Sequence, residues 1–146
     1  MFMLPLQQLR IDHMFFKNKK LLFLALILLT LGFIIYDSTS LPTVKDLQGN
    51  FQETAVYRNA NNTGPIVRVY AVKVEGEVWK EMQQYGDMMP YTKYGSTTVY
   101  FFDASKPVPS QLAANEPHFD TAFNTGCVAM YSKDANGAVS FTKSPF

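Results

Sequence analysis

The chain has 146 residues, a formal charge of +1, and is 47% hydrophobic, 14% aromatic and 17% charged. So low a charged fraction with so many aromatics excludes an intrinsically disordered chain. The near-neutral balance excludes a nucleic-acid binder that works by bulk charge, and the length allows one folded unit.

Residues 1–20 carry Arg10, Lys17, Lys19 and Lys20 against a lone Asp12. The opening MFMLPLQQLRIDHMFF mixes apolar residues with few charges, and reads as an interfacial segment on the cytoplasmic face or a surface packed on another membrane protein. Leu21–Tyr36 (LLFLALILLTLGFIIY) follows without a charge. Sixteen helical residues span about 24 Å, short of the roughly 30 Å of hydrocarbon. Counting from Met14, with Lys17, Lys19 and Lys20 snorkelling to the headgroups, makes the helix long enough. The expectation is a transmembrane helix over 21–36, extended from 14. The run holds Gly32 but no Gly-x-x-x-Gly pattern, so self-association through that motif is not supported.

The basic inner flank places the amino terminus in the cytoplasm and the rest in the periplasm or extracellular space, across a plasma or inner membrane. A cleaved signal peptide is the competing reading. Tyr36-Asp37-Ser38-Thr39-Ser40 offers small residues but no clean Ala-x-Ala, which favours a retained signal-anchor. Cys127 is the only cysteine, which excludes both a lipoprotein anchor at the apolar run and an internal disulfide framework.

Residues 37–146 hold 9 Lys and Arg against 11 Asp and Glu, a net charge of −2. Nothing basic and clustered is visible there to hold a polyanion, so no nucleic-acid partner is expected. Anionic lipid is the natural partner of the inner flank.

Residues 37–50 (DSTSLPTVKDLQGN) read as a polar tether, and 51–146 as the folded domain. Thr54–Arg58 is a short strand, and the turn-rich stretch 59–65 leads to Ile66–Val74, the clearest strand by its β-branched density. Glu77–Tyr85 places Val78, Met82 and Tyr85 on one helical face, with Gly86 as its stop. Thr97–Phe102 (TTVYFF) is apolar on both faces and so central in the sheet. After Pro107 and Pro109, the spacing of Phe119, Ala122 and Phe123 predicts a short helix. Cys127–Tyr131 and Ala138–Thr142 are strands flanking Asn136-Gly137, a hairpin signal. The order predicts a small α+β domain: a mostly antiparallel sheet with one or two packed helices.

Catalytic patterns are scarce. Cys127, His118 and Asp120 are the residue types of a thiol nucleophile, its base and an orienter, but a cysteine between apolar neighbours at a strand start reads first as core. His13 falls on the cytoplasmic side. Met82, Met88, Met89, Met130, His118 and Cys127 are soft donors without paired spacing, so no metal site or cofactor is assigned. Glu75, Glu77 and Glu81 read as a solvated face, and no phosphate loop, Gly-x-Ser-x-Gly or His-Glu-x-x-His pattern is present. Asn61-Asn62-Thr63 matches the glycosylation acceptor pattern, relevant only in a eukaryotic secretory pathway.

The stretch 86–95 (GDMMPYTKYG) is a loop by its Gly and Pro, yet it carries Met88, Met89, Tyr91 and Tyr94. That composition fits a protein-contact surface, or a loop folded back over the core. The expectation is therefore a single-pass, membrane-anchored accessory or docking subunit of a larger membrane assembly, not an enzyme. The alternative is an anchored small-ligand binder or enzyme centred near His118, Asp120 and Cys127.

Overall fold

The computed structural model describes residues 18–40 and 42–146, and the chain divides into two units after Pro42. The first contains helix α1 (Lys19–Ser40). Its length, about 33 Å at 1.5 Å per residue, matches a bilayer core. The predicted apolar run lies inside it, and the helix continues four residues past Tyr36. Its two threonines bond their hydroxyls to the helix itself. Thr30 donates its hydroxyl to the Leu26 and Ile27 carbonyls, and Thr39 donates to those of Ile35 and Tyr36. Within Lys19–Thr39 an 18-residue window has a mean hydropathy of 2.3, and none of that window is buried. Of the expected extension from Met14, Lys19 and Lys20 lie in α1, and residues 14–17, with the interfacial segment expected before them, lie outside the described residues.

The second unit is an α+β domain built on a five-stranded sheet, in the order β1 (Gln52–Arg58), β2 (Val67–Val74), β3 (Ser96–Asp103), β4 (Cys127–Lys133) and β5 (Val139–Lys143). Neighbours in sequence are neighbours in space. Three of the four pairings are antiparallel, and β2 with β3 is parallel. A parallel pair needs a crossover, and helix α2 (Trp79–Met88) supplies it. β3 is central, as its apolar run on both faces predicts.

Alternation along the strands divides the core in two. Tyr70, Val72 and Val74 of β2, Val99 and Phe101 of β3, and Ala129 and Tyr131 of β4 face α2, whose Met82 and Tyr85 complete that layer. Val69, Ala71, Tyr100, Phe102 and Cys127 line the opposite face, joined by Phe119 from the segment between β3 and β4. That segment, 104–126, covers the second face as irregular chain ending in a 3₁₀ helix, Thr121–Gly126. The short helix expected after Pro117 is this 3₁₀ turn.

A register shift between Phe101 and Phe102, opposite Ala129 and Cys127, inserts one extra residue in β4. Such a bulge sends Cys127 to the face opposite Ala129, although the two are an even number apart.

The stretch expected as a tether is divided. Asp37–Ser40 continue α1. In Val44–Asp46, a 3₁₀ turn, Asp46 accepts the backbone N–H and hydroxyl of Thr43 at 2.7 and 2.9 Å. Val44, Leu47 and Phe51 then pack against the α2 side of the core.

Gly86 does not stop α2. The helix runs on to Met88, and a Cβ at Gly86 would stand 2.3–2.6 Å from the ring carbons of Tyr131. The glycine is there so that helix and sheet can touch. At the β4–β5 turn, Gly137 takes φ +83° and its N–H donates to Asp134 O at 2.9 Å, as the Asn-Gly signal anticipates.

Candidate functional site

His118, Asp120 and Cys127 each have a local partner. His118 is buried, its Nδ1 stands 3.0 Å from Ala113 O, and its ring centroid is 6.0 Å from that of Tyr100. Asp120 is exposed and accepts the Ala122 N–H at 2.8 Å, capping the 3₁₀ helix. Cys127 is buried and donates its thiol to Ala129 O at 3.5 Å. Burial pushes the thiol up to about 12, slightly offset by the Ala129 backbone contact. A nucleophilic cysteine needs the opposite shift, toward thiolate at neutral pH.

The soft donors are split by the sheet. Met82 of α2 is fully buried in one layer, whereas Cys127 and Met130 belong to the other. Among the described residues, no group of three or more His, Cys, Asp or Glu gathers to hold a metal. Glu75 accepts from Asn50 Nδ2 at 3.0 Å, and Glu81 lies in the first turn of α2.

On the second face, Tyr100, Glu116, Pro117, Met130, Pro145 and Phe146 line an open groove of about 420 Å³. Tyr100 stacks on Phe146 at 6.2 Å and meets Phe119 edge-on at 4.9 Å. Burial first, and then Glu116, raise the Tyr100 hydroxyl to about 12.

The Met- and Tyr-rich stretch is partly absorbed into the fold. Met88 closes α2, and Met89 packs on the core. Tyr91 donates its hydroxyl to the Asp134 and Ala135 carbonyls at 3.1 and 3.2 Å, and Lys133 Nζ lies 4.6 Å from its ring centroid. Tyr94 stands apart. It is 65% exposed, holds φ +67°, and has Lys93 Nζ 5.1 Å from its ring centroid.

Beside Tyr94 lie residues that sequence reasoning left scattered. Arg58 and Arg68 face each other in register across β1 and β2. Arg68 donates Nη1 to Thr92 Oγ1 at 3.0 Å, and Arg58 donates Nη2 to Asn61 Oδ1 at 3.2 Å. Only the hairpin register brings the two arginines together. An Arg–x₉–Arg spacing carries no such signal by itself. The Asn61-Asn62-Thr63 acceptor pattern sits in the exposed turn beside them.

No protein-family model, curated protein or solved structure matches this chain.

Proposed function

We infer that the chain is a single-pass membrane protein, anchored by α1, whose C-terminal domain serves as an accessory or docking module of a larger membrane assembly. One observation carries the reading. Among the described residues, every large apolar side chain of α1 from Leu21 to Tyr36 keeps 40–71% of its surface exposed. Water is a poor solvent for such a surface, at about 25 cal/mol per Å² of apolar area. Lipid or partner helices are the media that suit it.

The basic flank of α1 orients the amino terminus toward the cytoplasm, in a plasma or inner membrane, with the domain on the far side. The docking role draws support from the exposed Tyr94 and the neighbouring cations. The alternative centre at His118, Asp120 and Cys127 has its side chains engaged in packing and capping, so docking is the reading carried forward.

Gentle detergent extraction from native membranes, then sizing and mass spectrometry of co-migrating chains, tests it. Stoichiometric recovery with one larger membrane complex is expected. Migration alone, at the chain's own mass plus detergent, refutes the accessory role. Release by alkaline carbonate refutes the anchor, and a C-terminal reporter active only in the cytoplasm refutes the orientation.

A further inference from the structure

Like charges directly opposite on an antiparallel pair destabilise it, and Arg58 and Arg68 are such a pair. Among the described residues, neither guanidinium has a carboxylate within ion-pair distance to offset the other. Arg58 is bonded to an amide oxygen and Arg68 to a hydroxyl. The nearest acid on the same face of β1 is Glu53, which is paired instead with Val72 near the other end of the hairpin. Thr92 ties Arg68 to the loop carrying Lys93, which places Arg58, Arg68 and Lys93 at one end of the sheet on its β1–β2 side, while Lys133 and Asp134 lie at that end on β4 and its turn. That end is opposite the one where Gly49 O receives the Glu75 N–H, about 20 Å away along β2.

Resting on the docking role above, we propose that Arg58, Arg68 and Lys93 form a cationic surface that receives an acidic, carboxylate-bearing segment of a partner protein. Guanidinium forks match carboxylates in geometry, and two side by side select a segment with more than one acid. Apolar side chains border the cations: Val56 is 47% exposed and Tyr94 is 65% exposed. A peptide covers both kinds of surface, whereas a free anion engages the charges alone. β1 is an edge strand, so an extended segment can also take up its outward backbone groups.

The experiment uses the full chain in neutral-detergent micelles, with fluorescein-labelled hexaglutamate read by anisotropy. Binding is expected at low salt and weakens as salt rises. The double variant Arg58→Gln/Arg68→Gln should lose about tenfold or more in affinity, since each fork is a charge-assisted contact. The control Lys80→Gln/Lys106→Gln has the same net charge and should keep wild-type binding. The arginine variant should melt no lower than wild type, because removing the pair relieves a repulsion. No hexaglutamate binding by the folded wild type, or equal losses in the two variants, overturns the proposal. So does full competition by inorganic phosphate, or tighter binding to anionic phosphatidylglycerol vesicles than to the peptide.

Co-purification of the double variant from native membranes separates this proposal from the docking role. A wild-type chain that arrives with a complex while the double variant does so equally well leaves the docking role standing and removes this surface from it. A wild-type chain that arrives alone removes the docking role itself.

Discussion

Replacing Gly86 by alanine tests how helix α2 meets the sheet. By helix propensity the change is favourable, because an interior alanine is worth about 1 kcal/mol over glycine. Packing opposes it. The new methyl would lie 2.3 Å from Tyr131 Cγ, 2.4 Å from Cδ2 and 2.6 Å from Cδ1. Relief needs a shift on the order of 1 Å in a side chain packed at crystal-like density. Tyr131 is fully buried, and its hydroxyl donates to Asp87 Oδ1 at 2.7 Å, on the very turn of helix that would have to move. The upper part of the overpacking range, about 3 kcal/mol, is the appropriate cost. The net is a loss of about 2 kcal/mol, which lowers the midpoint of a domain this size by about 10 °C.

Thermal unfolding of the full chain in detergent measures it, followed through Trp79, the only tryptophan, at the start of α2. A double-mutant cycle sharpens the reading. In a Tyr131→Ala background the ring is gone, and Gly86→Ala should then stabilise by about the propensity difference of 1 kcal/mol. A Gly86→Ala protein as stable as wild type, or more so, refutes the reasoning and means that α2 does not lie against Tyr131.

Other outcomes concern Tyr131, Cys127 and α1. Tyr131→Phe keeps the ring and removes the 2.7 Å hydroxyl contact with Asp87, so it should cost about 1 kcal/mol in the same melt. Cys127 should resist maleimide in the native state and react once unfolded, as mass spectrometry would count. Its thiol is raised by burial from 9.0 to about 12, so folded and unfolded forms hold the same proton below pH 9. Above that, the unfolded chain gives up its proton first, and stability falls as pH rises toward 12. Cys127→Ala should flatten part of that alkaline decline in a pH series of melts, the rest coming from Tyr70, Tyr85, Tyr100 and Tyr131, whose hydroxyls burial also raises. Leu28→Arg places a charge mid-way along α1 at a cost of about 3 kcal/mol on the insertion scale, and should move the chain toward the carbonate-soluble fraction. Unchanged retention of that variant in membranes argues against α1 as the span.

The candidate site was less legible than the fold. Met88, Met89, Tyr91 and Tyr94 look alike as a composition, yet Met89 packs against the core and Tyr91 is bonded to the β4–β5 turn, while Tyr94 stays outside. Which side chain turns inward depends on what stands opposite, and here that is β4 and its turn, some forty residues further along the chain.

The sequence by itself determined whatever is written in local periodicity and composition. The uncharged run of 21–36 specifies an apolar helix, the β-branched density of 66–74 and the TTVYFF run specify strands, and Asn136-Gly137 specifies a turn, because each depends on residues within one or two turns of itself. Only the tertiary structure decided what depends on residues far apart. Gly86 reads locally as a helix stop and sits inside the helix because Tyr131 occupies the space a side chain would take. Cys127 faces away from Ala129 because an extra residue interrupts the pairing of β3 with β4. Arg58 and Arg68 become neighbours through the β1–β2 register, and Lys93 joins them through Thr92. Steric exclusion, strand register and charge clustering are properties of pairs distant in the chain, and a single sequence carries no term that couples them.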